Sequence, residues 1–568
     1  MNKSKVISSL VFKFVERLAA KGIGLIISII LARLLAPEIF GLVAIISVFV
    51  NLAQTFVQSG LGTALVQNRT ADETDYSTVF YLSTGIAVLM IAILFAVAPL
   101  VGQYYGDNSL IWPLRVYSLS LLVGALNSVQ NAKMQREMQF KVMMRCNLIA
   151  TVISGAICVV AAFWGAGLWA LVIYYSSNQG IVTVCMLAAQ QWYPKWAFSI
   201  KRAKELFGFG WKMLVSALLC SLYNDIRALI IGKKYSTEDL AYYNKGQQFP
   251  DILANTMDVS IQTVMLPVMS SAQDSPEQLN KILRKTLTLS MFVVAPVMFG
   301  LASVADTLIP LLLTEKWSAS IPLMYVFCFS SLTLPIMTTN LSVLKALGRS
   351  DVYMRTELMR RVVMIAVLLT TVFCFDSVMV IAIGFALNSW LDAYIIVRAI
   401  KKLTGIGWLK QLVWCWKSLL AGGIMAVAVF AMNVLPIAVF GKLVLQILTG
   451  ATIYILLSAV LKNEMLFEAL EILKSSTMLL PTGLLILMFV QHYLEYNHSN
   501  AAQYLLSRNE VPFFKASLIS AGGVLVLLMI FVVWLDMGVS GMILAPMLVQ
   551  AVYQNWKWPL EVIKEFRI

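Results

Sequence analysis

Long apolar stretches alternate with short polar turns along most of this chain, and each stretch has the length of a bilayer crossing rather than of a buried core helix. Runs near 18–33, 39–64, 78–102, 112–131, 142–163 and 166–189 are followed by a second set near 206–232, 246–269, 286–309, 318–344, 361–376 and 378–398. The pattern predicts six helices and six more, and two further runs, about 411–434 and 437–461, complete a block of fourteen. The longest polar stretches inside that block, Gln190 to Glu205 and Ser270 to Lys285, are too short to fold as domains.

The pattern repeats within the chain. Ile29 to Ala44 can be laid over Leu229 to Asn244 at an offset of about 200 residues, which matches Arg33 to Lys233 and Glu38 to Glu238 at the same turn between apolar runs. A weaker match places Asn127 to Phe140 over Asn340 to Tyr353, in both cases after the fourth helix of a set. Equivalent points lie six helices apart, and an even number preserves orientation, so the two sets read as parallel copies, an arrangement common among carriers. The expected organisation is a six-helix lobe over 1–190, a linker over 191–205, a second six-helix lobe over 206–400, helices thirteen and fourteen over 401–475, and two or three extra membrane helices over 476–568. The linker carries Trp192, Tyr193, Trp196 and Lys201, a mixture suited to the membrane surface.

Composition agrees with the periodicity. A chain with 60% hydrophobic and 13% charged residues cannot clothe a soluble core of this size. The formal charge of +14 in a soluble protein would raise the question of nucleic acid, but here the basic residues fall mainly in alternate short loops, and no nucleic-acid partner is expected. Lys133, Arg136, Lys141 and Arg145 lie in one such loop, and Lys345, Arg349, Arg355, Arg360 and Arg361 in another. The intervening loops hold far fewer, chiefly Arg33, Lys233, Lys234, Lys245, Lys316 and Lys442. This bias, roughly three to one, predicts a cytoplasmic N-terminus. Seven scattered cysteines and two isolated histidines, His492 and His498, offer neither a disulfide framework nor a metal site.

Ionisable groups at membrane depth normally face a protein interior or a hydrated cavity, because burying one in lipid costs about 3 kcal/mol. Lys21, Arg33 and Arg227 read as cations able to attract an anionic group such as a diphosphate, and Gln54, Gln58, Asn224, Gln262 and Asn388 as partners for sugar hydroxyls. The carboxylates Asp225, Asp258 and Asp392 are candidates for carrying a coupling proton or sodium ion. The competing reading is that each charge snorkels to an interface or pairs inside the bundle. Asp225 and Arg227 stand two residues apart on one helix and need not pair.

The motif Ala32-Arg33, Leu35-Ala36-Pro37-Glu38 and Phe40-Gly41, followed by Gly60, Ala64, Val66 and Gln67, resembles the polysaccharide-transport branch of the superfamily that includes multidrug and toxin extrusion carriers and the lipid II flippase. Asn224-Asp225, Ile231-Gly232, Tyr242-Tyr243, Lys316-Trp317 and Gly348-Arg349 also look like family positions. The resemblance covers about residues 1 to 475. It implies an all-α polytopic membrane protein with two lobes in a V-shaped bundle. It also implies an activity: moving an undecaprenyl-diphosphate-linked oligosaccharide repeat unit from the cytoplasmic to the outer leaflet of a bacterial plasma membrane by alternating access, for export of a surface polysaccharide. The expected partners are the lipid-linked oligosaccharide, membrane lipids and a polysaccharide polymerase machinery. No cofactor is expected, the energy coming from a proton or sodium gradient. The alternatives are a multidrug or small-solute exporter of the same superfamily and a membrane glycan polymerase or ligase, which would need a large external loop that the sequence lacks. The tail departs from the family pattern: Tyr504 to Ala516 echoes the post-fourth-helix loop, so 476–568 reads as a partial third copy, giving sixteen or seventeen helices in all.

Overall fold

The computed structural model describes residues 22–58, 61–67, 72–137, 139–190, 192–273 and 275–477. Lys21 and the tail from 478, on which the choice between sixteen and seventeen helices turns, lie outside the described residues. The chain divides into two compact units, Met1–Met465 and Leu466–Ile568, and the helices α1 to α17 below belong to the first. The described residues contain helices and turns and no strand.

The order of elements repeats. The first series is α1 (Gly22–Leu34), α2 (Pro37–Gln58) with the short α3 (Leu61–Gln67), α4 (Glu73–Tyr105), α5 (Ile111–Ser118), α6 (Ser120–Arg136), α7 (Phe140–Phe163) and α8 (Leu168–Gln190). The second is α9 (Ile200–Lys234), α10 (Thr237–Ser270), α11 (Pro276–Leu313), α12 (Ser320–Ser331), α13 (Leu334–Ala346), α14 (Ser350–Cys374) and α15 (Val378–Thr404). Then come α16 (Trp408–Ala431), α17 (Val439–Val460) and α18 (Glu464–Thr477). Among the described residues, ten helical stretches are long and apolar enough to cross a membrane, and the chain is a multi-pass membrane protein.

Two expected helices are broken, and at equivalent places. The run near 112–131 divides into α5 and α6, and the run near 318–344 into α12 and α13, each pair preceded by a 3-10 turn, Asn108–Leu110 in one case and Glu315–Trp317 in the other. At both breaks hydroxyls compete for the backbone. Ser118 donates to the Arg115 carbonyl (2.6 Å) and Ser120 to that of Tyr117 (2.7 Å), while Thr333 donates to that of Ser330 (2.8 Å) just ahead of Pro335. Pro250, Pro267, Pro296 and Pro310, in contrast, sit inside helices that stay continuous.

Helix starts follow side-chain caps. Asp72 and Asp75 form a reciprocal capping box on α4, and Ser199, Ser236 and Ser275 cap α9, α10 and α11. The cap at Ser199 starts α9 at Ile200, inside the stretch expected to be linker. The remaining linker is strapped to the first turns of α4. The Trp192 indole donates to Glu73 (2.8 Å), the Lys195 amide to Ser77 (3.0 Å) and the Ser199 amide to Thr78 (3.2 Å). Arg202 pairs with Asp75 (2.8 Å) and Asp72 (3.2 Å). Trp192 is thereby buried, while Trp196 is 99% exposed.

At the opposite ends of these helices α2 packs against α9 and α10. Ile45 is buried with Ile231, Leu240 and Tyr243. The approach is closest at Gly41, where a Cβ would stand 1.7 Å from the Thr237 carbonyl oxygen, so only glycine fits.

Candidate functional site

The α1–α2 turn and its copy, the α9–α10 turn, meet the rest of the bundle at one closed end. Arg33 donates through Nε to the Leu312 carbonyl (2.8 Å) and through Nη2 to that of Leu311, both in the last turn of α11. Lys316, in the turn after α11, donates back to the carbonyls of Arg33 (2.8 Å) and Leu35 (2.7 Å), and the Trp317 indole to that of Ala32 (2.8 Å). On the other copy, Lys233 donates to the Tyr104 carbonyl at the end of α4, and the Tyr105 hydroxyl to the Leu229 carbonyl of α9 (3.2 Å). Final-turn carbonyls have no partner within their own helix and carry the negative end of its dipole, so lysine and arginine are suited to them. Burial pushes the Lys316 ammonium below its ordinary pKa. Trp317 is fully buried, edge-on to Phe40 (5.3 Å) and Tyr242 (6.0 Å).

Beneath this closure lies a cation that the sequence reading placed in a loop. Lys245 is inside α10, because the Ser236 cap begins the helix at Thr237, and it is 6% exposed. Its ammonium donates to Ser28 of α1 (2.6 Å) and to Gln248 (3.0 Å), and lies 4.7 Å from the Phe40 ring centroid and 5.6 Å from that of Trp317. Arg227, on α9, is also buried. Its guanidinium lies 4.1 Å from the Phe385 ring centroid, and Nε and Nη1 have no hydrogen-bond partner. Neither cation pairs with a carboxylate among the described residues. Such a charge keeps the cost of burial without the compensation of an ion pair.

The carboxylates differ from one another. Asp392 on α15 is compensated: Arg360 of α14 reaches it at 3.3 Å while also pairing with Glu357 (2.8 Å), and Asn388 donates to it at 3.4 Å. Asp258 on α10 is buried without a cation among the described residues; Thr338 donates to it (2.8 Å), and Gln262 ties Thr338 (3.2 Å), Thr339 (3.1 Å) and Ser342 (2.8 Å) into the same network. Asp225 accepts from Ser221 (3.2 Å) and does not pair with Arg227.

The sequence-derived candidates therefore do not converge on one point. The expectation that Arg33 shares an interior cavity with Arg227 is not met: Arg33 belongs to the closed end and is exposed there, held outside by the α11 carbonyls. Arg227 and Asn388 line one cavity of about 10 Å³ with Phe385, Thr371 and Gly384, room for about one water. Gln54 packs at Gly124, whose Cβ would stand 2.4 Å from Nε2, and Gln58 is exposed at the end of α2. The Asn224 side chain, like Lys21, lies outside the described residues. Lys245 was missed because a lysine eight positions past a turn reads as loop charge; its offset from Ser236 on a capped helix was the available signal.

Comparison with known proteins is consistent with this architecture. A teichuronic acid biosynthesis protein of Bacillus subtilis is 25% identical over 61% of this chain and 73% of its own length, and a lipopolysaccharide biosynthesis protein of Escherichia coli is 23% identical over 62% and 72%. A succinoglycan biosynthesis transport protein of Rhizobium meliloti is 24% identical over 59% and 67%. Among solved structures, the lipid II flippase MurJ in an inward closed conformation matches with a TM-score of 0.65 at 15% identity, over 80% of this chain and 99% of that one. An inward-facing multidrug resistance transporter matches at 0.50 and 13%, over 73% and 98%. These two likenesses establish the fold. The polysaccharide biosynthesis protein family model matches residues 30–322, more than half of the chain, and the chain belongs to that family.

Proposed function

We propose that the chain is a transporter, not an enzyme, that moves an undecaprenyl-diphosphate-linked oligosaccharide repeat unit across a bacterial plasma membrane for export of a surface polysaccharide. The observation that carries this reading is the pair of buried cations, Lys245 and Arg227, that have no carboxylate partner among the described residues. A diphosphate supplies the missing negative charge, and the hydroxyl and amide groups of Ser28 and Gln248 suit the adjoining sugar. The relatives named for teichuronic acid, lipopolysaccharide and succinoglycan support a glycan cargo.

The mechanism that fits is alternating access between two six-helix lobes, joined by the strap over α4. With the N-terminus cytoplasmic, as the loop charges favour, the Arg33 end faces the outside. The structure then corresponds to a state shut on that side. Opening has to break the carbonyl contacts of Arg33, Lys233, Lys316 and Trp317, all of which can re-form without chemical change. Asp258 is the carboxylate best suited to couple a proton or sodium gradient to that step, because Asp392 is already neutralised by Arg360. A polymerase machinery acting on the exported units is the expected partner.

Deletion of the gene should cause lipid-linked repeat units to accumulate on the cytoplasmic leaflet; unpolymerised units found outside would defeat the reading. Lys245→Ala should abolish export while membrane insertion is retained, and undiminished surface polysaccharide would remove Lys245 from the site.

A further inference from the structure

A groove of about 450 Å³ opens between α2, α4 and α9 at the closed end, and neither Lys245 nor Arg227 lines it. Phe49, Leu100, Val101, Leu229 and Ile230 form its apolar wall, and Tyr104, Tyr105, Lys233 and Lys234 its rim. The wall is partly open to the surroundings: Leu100 is 61% exposed and Tyr104 59%. In a spanning protein, tyrosine and lysine at the ends of helices lie at headgroup depth, and exposed apolar walls below them face acyl chains. The two lysines differ. Lys234 is occupied by Asp376 (2.7 Å) and the Phe375 carbonyl (2.9 Å). Lys233 is exposed, rests on the Tyr104 ring at 4.5 Å and its carbonyl, and pairs with no carboxylate among the described residues. An ammonium donates three hydrogen bonds, so Lys233 keeps capacity for a phosphate oxygen while capping α4.

We propose that this groove binds a membrane glycerophospholipid with an anionic phosphate headgroup, the phosphate on Lys233 and the rim tyrosines and the chain along Phe49, Leu100 and Ile230. The volume falls in the range of small-molecule sites, and the order of apolar wall, aromatic rim and cation matches the order of chain, glycerol level and headgroup in a leaflet. The wall comes from both helix series, so the groove exists only while α4 and α9 are held together by the Lys233 and Tyr105 contacts. A lipid seated there favours the closed end, since it has no equivalent site once those helices part.

The test is lipid retention by the purified full-length protein in native mass spectrometry, after delipidation and titration with phosphatidylglycerol, phosphatidylcholine or a polyprenyl monophosphate. Wild type should retain phosphatidylglycerol in preference to both zwitterionic phosphatidylcholine and the polyprenyl monophosphate; preferential retention of the polyprenyl phosphate would overturn the assignment to a glycerophospholipid. Lys233→Gln should weaken retention about tenfold, the loss of one charge-assisted contact. Leu100→Trp, which fills the wall from an exposed position and leaves the lysine in place, should weaken it as well. Retention unchanged in both variants, or equal retention of phosphatidylcholine by wild type, would overturn the assignment.

Discussion

The two copies of the hairpin turn show what the duplication preserved and what it changed. In the first copy Arg33 caps the final turn of α11, the third long helix of the second series; in the second copy Lys233 caps the final turn of α4, the third long helix of the first. Each series thus supplies the cation that closes the other, the reciprocity expected of two equivalent units meeting face to face. The copies differ in how they are gripped in return. Lys316 and Trp317 hold three carbonyls of the first turn region, whereas the second receives one hydroxyl, from Tyr105. Gly41 meets the backbone of Thr237 with no room for a side chain, while its counterpart Ala241 carries a buried methyl. The first copy is therefore the tight fastening and the second the looser one, a difference that arises from the 3-10 turn after α11, which supplies Lys316 and Trp317, and from the close approach of Gly41 to α10.

That asymmetry can be broken most severely at Gly41. Gly41→Leu should separate α2 from α10, lengthening the distance between spin labels at the exposed Glu38 and Glu315 positions and abolishing export; an unchanged distance would show that the contact at Thr237 does not set the closure. Next in size is Trp317→Ala, which removes a fully buried indole, its bond to Ala32 and one wall of the Lys245 cage. A loss of about 3–5 kcal/mol is expected, read as a marked fall in thermal stability in detergent. Arg33→Ala and Lys233→Ala should each loosen the closed end by about 1 kcal/mol, the worth of a cation at a helix C-terminus. Because they cap different helices their effects should add, and strong non-additivity in the double variant would mean that the two turns open as one element. Smallest is Lys234→Ala: its partners Asp376, Phe375 and Val372 all lie in the second series, so the Glu38–Glu315 distance should not move.

Interior chemistry was less legible than the fold. Hydropathy placed Arg227, Asp258 and Asp392 at membrane depth, and all three are buried. It did not show that Asp392 has Arg360 as a partner while Asp258 meets a hydroxyl and, among the described residues, no cation, since the distinction depends on whether α14 or α13 lies alongside. Arg33 was read as a cavity cation because a charge beside an apolar run identifies its depth and not its direction. Lys245 was counted with the loops for the related reason that a charge a few residues beyond a turn resembles loop charge until the cap is located.

The sequence by itself determined the all-helical membrane class, the turn repeated at Arg33 and Lys233, and the family, because lipid permits few solutions to the backbone's need for hydrogen bonds and each leaves a periodic trace. Tertiary structure alone decided that the repeated cations cap carbonyls of the opposite series and that Lys245 lies in an aromatic cage under Trp317. Those outcomes rest on contacts between residues far apart in the sequence, such as Ser28 with Lys245, 217 positions apart, and Arg33 with Leu312, 279 apart. They follow from which helix packs on which, and the pattern along any one helix does not specify its neighbour.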